Sequence, residues 1–447
     1  MFERLGSRGS ASATAVVIAG LLAAFGFRIF FGLHAPPSII ADDEIQVYLV
    51  GLKSYVTRTW PYFGPDVSVG ANMYAGQIAG ALQGLLIALP LYVWPAPMSP
   101  FVFVNLLTFL ALTFLGWYTC RRLPGFPRWF VFIWLYIAPW NTYFSTTVIN
   151  PSYALVGAVL FFIGFLESIP ALRAGLISVR WANVMLAFGL FWVAQLHMSW
   201  VMLGLVATFS VYAQWKAGRL GTALLFGALG ALPMLALLVP TYLVYGFSTG
   251  QDLAATSRLD PRGVRDVFVV LGRFLSFASF ELPRFLGAGT QARVDYLLQT
   301  PWLAAPGFLL WGIGLIQPLM LVAIWFVRNH PRGDWRGIKF TTLGLFLLVY
   351  FLFWFSGRSP LSYRFVSTLP LVMLYSFYCW DYLSASRTWR VLGVVFLATS
   401  VVFQVGNAWK SARAGVSVYA QCKERIERAI QQKDYRLLAE RRPTARY

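Results

Sequence analysis

Charge is what this 447-residue chain has little of. Asp, Glu, Lys and Arg make up 12% of it, and only 17 residues are acidic. A soluble domain carries about twice that charged fraction, so a freely soluble enzyme is excluded. Cysteine is also scarce. Cys120, Cys379 and Cys422 are scattered and form no CxxC pair, which excludes a disulfide framework and a thiolate metal site. The histidines, His34, His197 and His330, are equally dispersed. No internal repeat and no low-complexity tract is present, so a solenoid is excluded too. No cleavable leader is evident. The first apolar run, Ala11–Leu33, is too long for one and reads as an uncleaved helix.

What is there is apolar. Hydrophobic residues make up 58% and the mean hydropathy is +0.64. Runs of about 18 or more apolar residues recur, each able to cross a hydrocarbon core as a helix. The chain reads as an all-α polytopic membrane protein. Its net charge of +19 would suggest nucleic acid in a soluble protein. Here many of the Lys and Arg residues fall in short loops, which is the positive-inside pattern. The expected partners are membrane lipids, including anionic ones, and not nucleic acid.

Loop charge predicts about eleven spans, within a range of about ten to thirteen. Arg4 and Arg8 place the N-terminus in the cytoplasm, before the span Ala11–Leu33. The stretch Gly76–Trp94 is apolar enough to resemble a second span. Were it one, Arg121, Arg122 and Arg128 would lie outside, against the charge rule. Its glycines and its cluster of Pro90, Pro95 and Pro97 suit a broken amphipathic segment on the outer face. The remaining spans are then Phe101–Cys120, Arg128–Tyr143, Ser152–Ile169, Trp181–Leu196, Met198–Gln214, Thr222–Tyr245, Trp302–Val327, Lys339–Phe355, Val366–Leu383 and Val391–Ala408. The organisation is a membrane domain over residues 1–408 and a basic polar tail over 409–447. Two long outer loops, 34–100 and 246–301, carry mixed charge, as lids and binding loops do.

This topology gathers the uncommon polar residues on the outer face. Asp42, Asp43 and Glu44 open the first outer loop. Asn141 and Asn150 flank one outer turn, and Gln195 and His197 mark the next. Arg358, Tyr363 and Arg364 lie in a short turn between the ninth and tenth spans. Carboxylates suit general-base work or a divalent cation such as Mg or Mn. Arginines suit phosphate. Bland readings compete: the acidic triplet as a helix cap, the arginines as snorkelling side chains, His197 as a buried polar group, and Asn150-Pro151 as a turn starter. Arg28, inside the first span, is expected to snorkel outward or to pair with a carboxylate of the triplet.

The segment Asp43-Glu44-Ile45-Gln46-Val47-Tyr48 resembles the Asp-Glu-x-x-x-Tyr motif that follows the first span of GT-C glycosyltransferases. The plan is especially similar to bacterial relatives of protein O-mannosyltransferases and to aminoarabinose transferases. Gly80–Trp94 resembles the amphipathic segment of their first outer loop, and Arg121-Arg122-Leu123 the basic stop after their second span. The resemblance covers the first 130 or so residues best. Later it rests on pattern alone, through Gln195-Leu196-His197 and Tyr363-Arg364-Phe365. It departs from the family where a Pro-Pro-Leu signature is usual, because no proline precedes Leu82 or Leu85.

The resemblance implies an inner-membrane enzyme whose active site faces outward. It would transfer a sugar from a polyprenyl-phosphate donor to an acceptor lipid, glycan or protein, with inversion. Asp43 would be the base, with Glu44 beside it. Arg358, Arg364 and Tyr363 would hold the donor phosphate. Asp42 and His197 would support the site or a divalent cation, and no other cofactor is implied. Two other readings stay open. One is a transporter or flippase of a lipid-linked or anionic solute. The other is a polysaccharide ligase of similar fold.

Overall fold

The computed structural model describes residues 10–35, 41–69, 74–246, 261–277, 279–286, 290–355 and 360–439. The chain is an α-helical integral membrane protein. Its helices are α1 (Ser10–His34), α2 (Ala41–Thr57), α3 (Leu82–Val93), α4 (Ser99–Arg122), α5 (Arg128–Ile137), α6 (Pro139–Tyr143), α7 (Asn150–Ser168), α8 (Val179–Ala194), α9 (Trp200–Lys216) and α10 (Leu220–Tyr245). They continue with α11 (Val267–Ser276), α12 (Thr290–Gln299), α13 (Pro301–Trp325), α14 (Trp335–Trp354), α15 (Leu369–Leu383), α16 (Arg387–Ala414), α17 (Val418–Gln432) and α18 (Arg436–Ala439). Among the described residues, seven helices are long and apolar enough to cross a membrane: α1, α4, α7, α10, α13, α14 and α16. The other expected spans fall on shorter or broken helices.

Three features of the first half of the chain have physical causes. Gly76–Trp94 is no span. Its first part is a strand, and α3 has 12 residues, about 18 Å of helix, too short for a core of about 30 Å. The first loop is also not wholly helical. β1 (Phe63–Val69) and β2 (Tyr74–Ala79) pair antiparallel as a hairpin. Finally, Arg128–Tyr143 is broken. Pro139 carries no N–H and pushes Ala138 to φ −53, ψ 137. The helix stops there and restarts for one short turn.

α7 is the hub. Nearly all of its residues are buried. Its small residues let backbones meet, as in other membrane bundles. Gly157 and Gly189 face each other so closely that a Cβ on either would strike the other helix's backbone, and Gly164 lies as tightly against Ala182. The tail returns to the first loop. Ser417 Oγ donates to the Leu33 carbonyl at 2.7 Å, the Tyr419 ring meets Phe101 edge-on, and the Lys53 ammonium sits over the Tyr435 ring. The tail therefore packs against the α1–α2 end of the bundle.

Candidate functional site

The site is built at the end of the bundle where α1 leads into α2. Asp43 and Glu44 are consecutive in α2, so their side chains diverge by about 100°. Asp43 is exposed and Glu44 is buried. Inward, Glu44 accepts the Val148 backbone N–H and faces the Tyr153 phenol. Burial pushes its carboxyl up to about 8, with the Val148 bond opposing the shift. Glu44 is thus uncharged at neutral pH. The motif tyrosine, Tyr48, is also buried. Its hydroxyl donates to the Pro97 carbonyl at 2.9 Å and ties α2 to the turn before α4.

The turn between α6 and α7 connects this helix to the arginine segment. Its Val148 holds Glu44, and its Phe144 ring packs on Tyr363 at 6.1 Å. Ser152 Oγ, at the start of α7, donates to the Phe144 carbonyl at 3.1 Å. Tyr363 and Arg364 sit in the 3-10 turn Ser362–Thr368. There the guanidinium lies 5.6 Å from the Tyr363 ring centroid and donates to its hydroxyl at 3.4 Å. The buried pair Arg273 and Glu281, 2.8 Å apart, braces this turn, because Arg273 Nη1 also donates to the Pro360 carbonyl at 2.5 Å.

His197 completes the ring of elements. Its Nδ1 accepts the Ser199 N–H at 3.2 Å and lies 2.8 Å from Ser199 Oγ. The ring proton of the neutral imidazole is then on Nε2. Burial first, and the Arg364 charge second, lower its pKa to about 4. It is neutral at physiological pH and beside the arginine turn. Gln195, two residues earlier, is fully buried against Gly80, whose φ of +128 only glycine tolerates. Its Nε2 donates to the Met234 carbonyl at 3.0 Å. Arg358 and the Asp42 side chain lie outside the described residues. Asp43, with Asp42, are the side chains that would hold a divalent cation. Among the described residues, no three His, Cys, Asp or Glu side chains cluster as a metal site.

The structure thus brings Glu44, His197, Tyr363 and Arg364 to one end, with Asp43 at its surface. It adds Val148 and Tyr153, which no motif marks. Tyr153 Oη is buried without a hydrogen-bond partner among the described residues. Arg28 does not meet the acidic triplet and does not snorkel. It is fully buried among carbonyl groups and hydroxyls of α4 and the α5–α7 region.

No protein-family profile matches the chain, and no curated protein matches it in sequence. Solved structures do. The apo structure of ArnT from Cupriavidus metallidurans is similar over 96% of this chain and 76% of ArnT, with 15% identity and a TM-score of 0.51. ArnT from the same organism bound to undecaprenyl phosphate aligns over 97% of this chain and 78% of its own, with 12% identity and a TM-score of 0.48. The chain has the polytopic fold of ArnT.

Proposed function

We propose that this protein is a membrane glycosyltransferase that moves a sugar from a polyprenyl-phosphate donor to an acceptor at the outer face of the inner membrane. The observation that carries the reading is the split of the acidic pair. On an ArnT-like fold, one helix leaves Asp43 exposed and turns Glu44 inward. Asp43 is the base. The acceptor oxygen attacks the anomeric carbon as its proton passes to the Asp43 carboxylate. The bond from that carbon to the phosphate oxygen breaks, and the polyprenyl phosphate leaves with inversion. Arg364, with Arg358, holds the leaving phosphate by charge-assisted bonds, and Tyr363 steadies the Arg364 guanidinium. Neutral Glu44 adds no second negative charge beside Asp43, so the base is not pushed toward protonation by its neighbour. Neutral His197 lies beside Arg364 without competing for the phosphate.

Purified protein is to be offered a panel of polyprenyl-phosphate sugars and acceptor lipids. Wild type should release polyprenyl phosphate, and Asp43→Asn should turn over at least about 10²-fold more slowly with donor binding near normal. An active Asp43→Asn protein would remove Asp43 from the mechanism. Equal, severe loss in Asp42→Asn, reproduced in wild type by chelator, would point to a shared cation instead.

A further inference from the structure

We infer that Arg28 is a positioning residue. Together with Asn105 and Thr108 of α4, it holds the interrupted backbone from Tyr136 to Val148 in the shape that presents Val148 to Glu44 and Phe144 to Tyr363. The inference rests on the proposed transferase reading for what the site does, but not for the geometry itself.

An ionised group inside a membrane bundle is costly unless it is met on all sides. Arg28 is fully buried in α1 and has no carboxylate partner among the described residues. What meets it is backbone. The break at Pro139 leaves carbonyls without their helical donors. The Leu135 carbonyl would have bonded the N–H that Pro139 lacks, and Asn141 Nδ2 reaches it at 2.5 Å instead. The Tyr136 carbonyl would have bonded the Trp140 N–H, which is drawn away to the Phe277 carbonyl at 2.8 Å. Arg28 Nη1 supplies the missing donor, 3.5 Å from the Tyr136 oxygen and 3.4 Å from the Asn141 oxygen. Its Nη2 donates to the Ser145 carbonyl at 2.9 Å, to Ser145 Oγ at 2.8 Å and to Thr108 Oγ1 at 2.9 Å. Asn105 Nδ2 donates to the next carbonyl, Thr146, at 2.8 Å. Non-helical backbone is tolerated at membrane depth only when accounted for in this way.

The rest of this α1 face serves the same segment. Phe31 packs edge-on against Tyr143, and Gly32 lies so close to the Thr146 carbonyl that a Cβ would collide with it. Only a planar, forked donor reaches from Tyr136 to Ser145. The single nitrogen of lysine keeps the charge and loses the span.

The test uses full-length protein in detergent and reads thermal stability at one pH. It compares wild type, Arg28→Lys, Glu44→Gln and the double variant. If Arg28 sets Val148, Arg28→Lys loosens that N–H from the Glu44 side chain. The drop in melting temperature caused by Arg28→Lys should then be larger with Glu44 present than in the Glu44→Gln background. A drop equal in both backgrounds would overturn the inference and leave Arg28 as packing alone. If Arg28→Lys does not fold, Thr108→Val carries the same test, because it removes the hydroxyl that accepts from Arg28 and donates to the Ser145 carbonyl, and no charge. In the transfer assay, the folded variant should lose at least about tenfold in kcat/KM. Absence of transfer in wild type would sink the transferase reading while leaving the stability result to decide this one.

Discussion

The two ends of α4 and α7 solve the same problem in opposite ways. At the end away from the site, the buried charges are paired. Arg122 Nη2 meets Asp334 at 2.7 Å and its Nη1 meets Tyr118 at 2.8 Å. Tyr118 donates to Glu167 at 2.9 Å, and Glu167 also accepts the Gly175 N–H at 2.9 Å. Tyr378 bonds Asp334 as well, and Arg332 holds Asp381 by two bonds of 2.7 and 3.0 Å. At the site end, Arg28 lies among carbonyls, Glu44 has no cation partner among the described residues, and His197 faces a guanidinium. Tyr153 Oη has no hydrogen-bond partner among the described residues. The far end is arranged to stay closed. Among the described residues, the near end pairs Arg273 with Glu281 and leaves the Glu44 carboxyl without a cation.

The largest effect should come from breaking the matched end. Arg122→Met leaves Asp334 with Tyr378 but without its cation, and should cost about 3–5 kcal/mol of stability. Thermal unfolding in detergent would show it, while the folded fraction keeps its turnover rate. Lost turnover at unchanged stability would break the comparison, because the far end would then be functional.

A smaller effect is expected from Arg364→Ala. Donor affinity should weaken by about 1.5–3 kcal/mol, the worth of a charged hydrogen bond, with little change in melting temperature. Arg358→Ala should behave alike. Unchanged binding of polyprenyl phosphate by both folded variants would end the phosphate role.

The pH response sharpens the comparison further. Glu44 has a folded pKa of about 8 against an ordinary 4.5. Below pH 4.5 both states are protonated and Glu44 makes no difference. Between 4.5 and 8 the unfolded chain ionises first, so stability falls as pH rises, by at most about 1.4 kcal/mol per unit. Glu44→Gln should flatten that slope. A variant with the wild-type slope would show that Glu44 is not held neutral.

The smallest effect belongs to His197. Its pKa is lowered to about 4 from 6.5. Stability should therefore drop as pH falls through that window, where the unfolded chain takes up a proton and the folded one does not. His197→Gln should blunt this acid-side loss, and melting curves from pH 4 to 7 would detect it. An undiminished loss would assign the acid sensitivity to other groups.

Hydropathy and loop charge decide much by themselves, because crossing a bilayer is a local property of about 20 residues. They mark the long helices, they exclude Gly76–Trp94 as a span, and they place Asp43, Glu44, His197, Tyr363 and Arg364 at span ends. Tertiary structure decides the rest. Nothing local says that Asp43 turns outward while Glu44 turns in, since that follows from what packs on α2. The strands over 63–69 and 74–79 have no strong alternation to announce them. Pro139 signals a break, but the donors that repair it come from Arg28, Asn105 and Thr108, far away in the chain. Tyr48 reads as part of a functional motif and proves to be a tether to Pro97. A buried polar group takes its meaning from its partners, and those partners are brought to it only by the folded bundle.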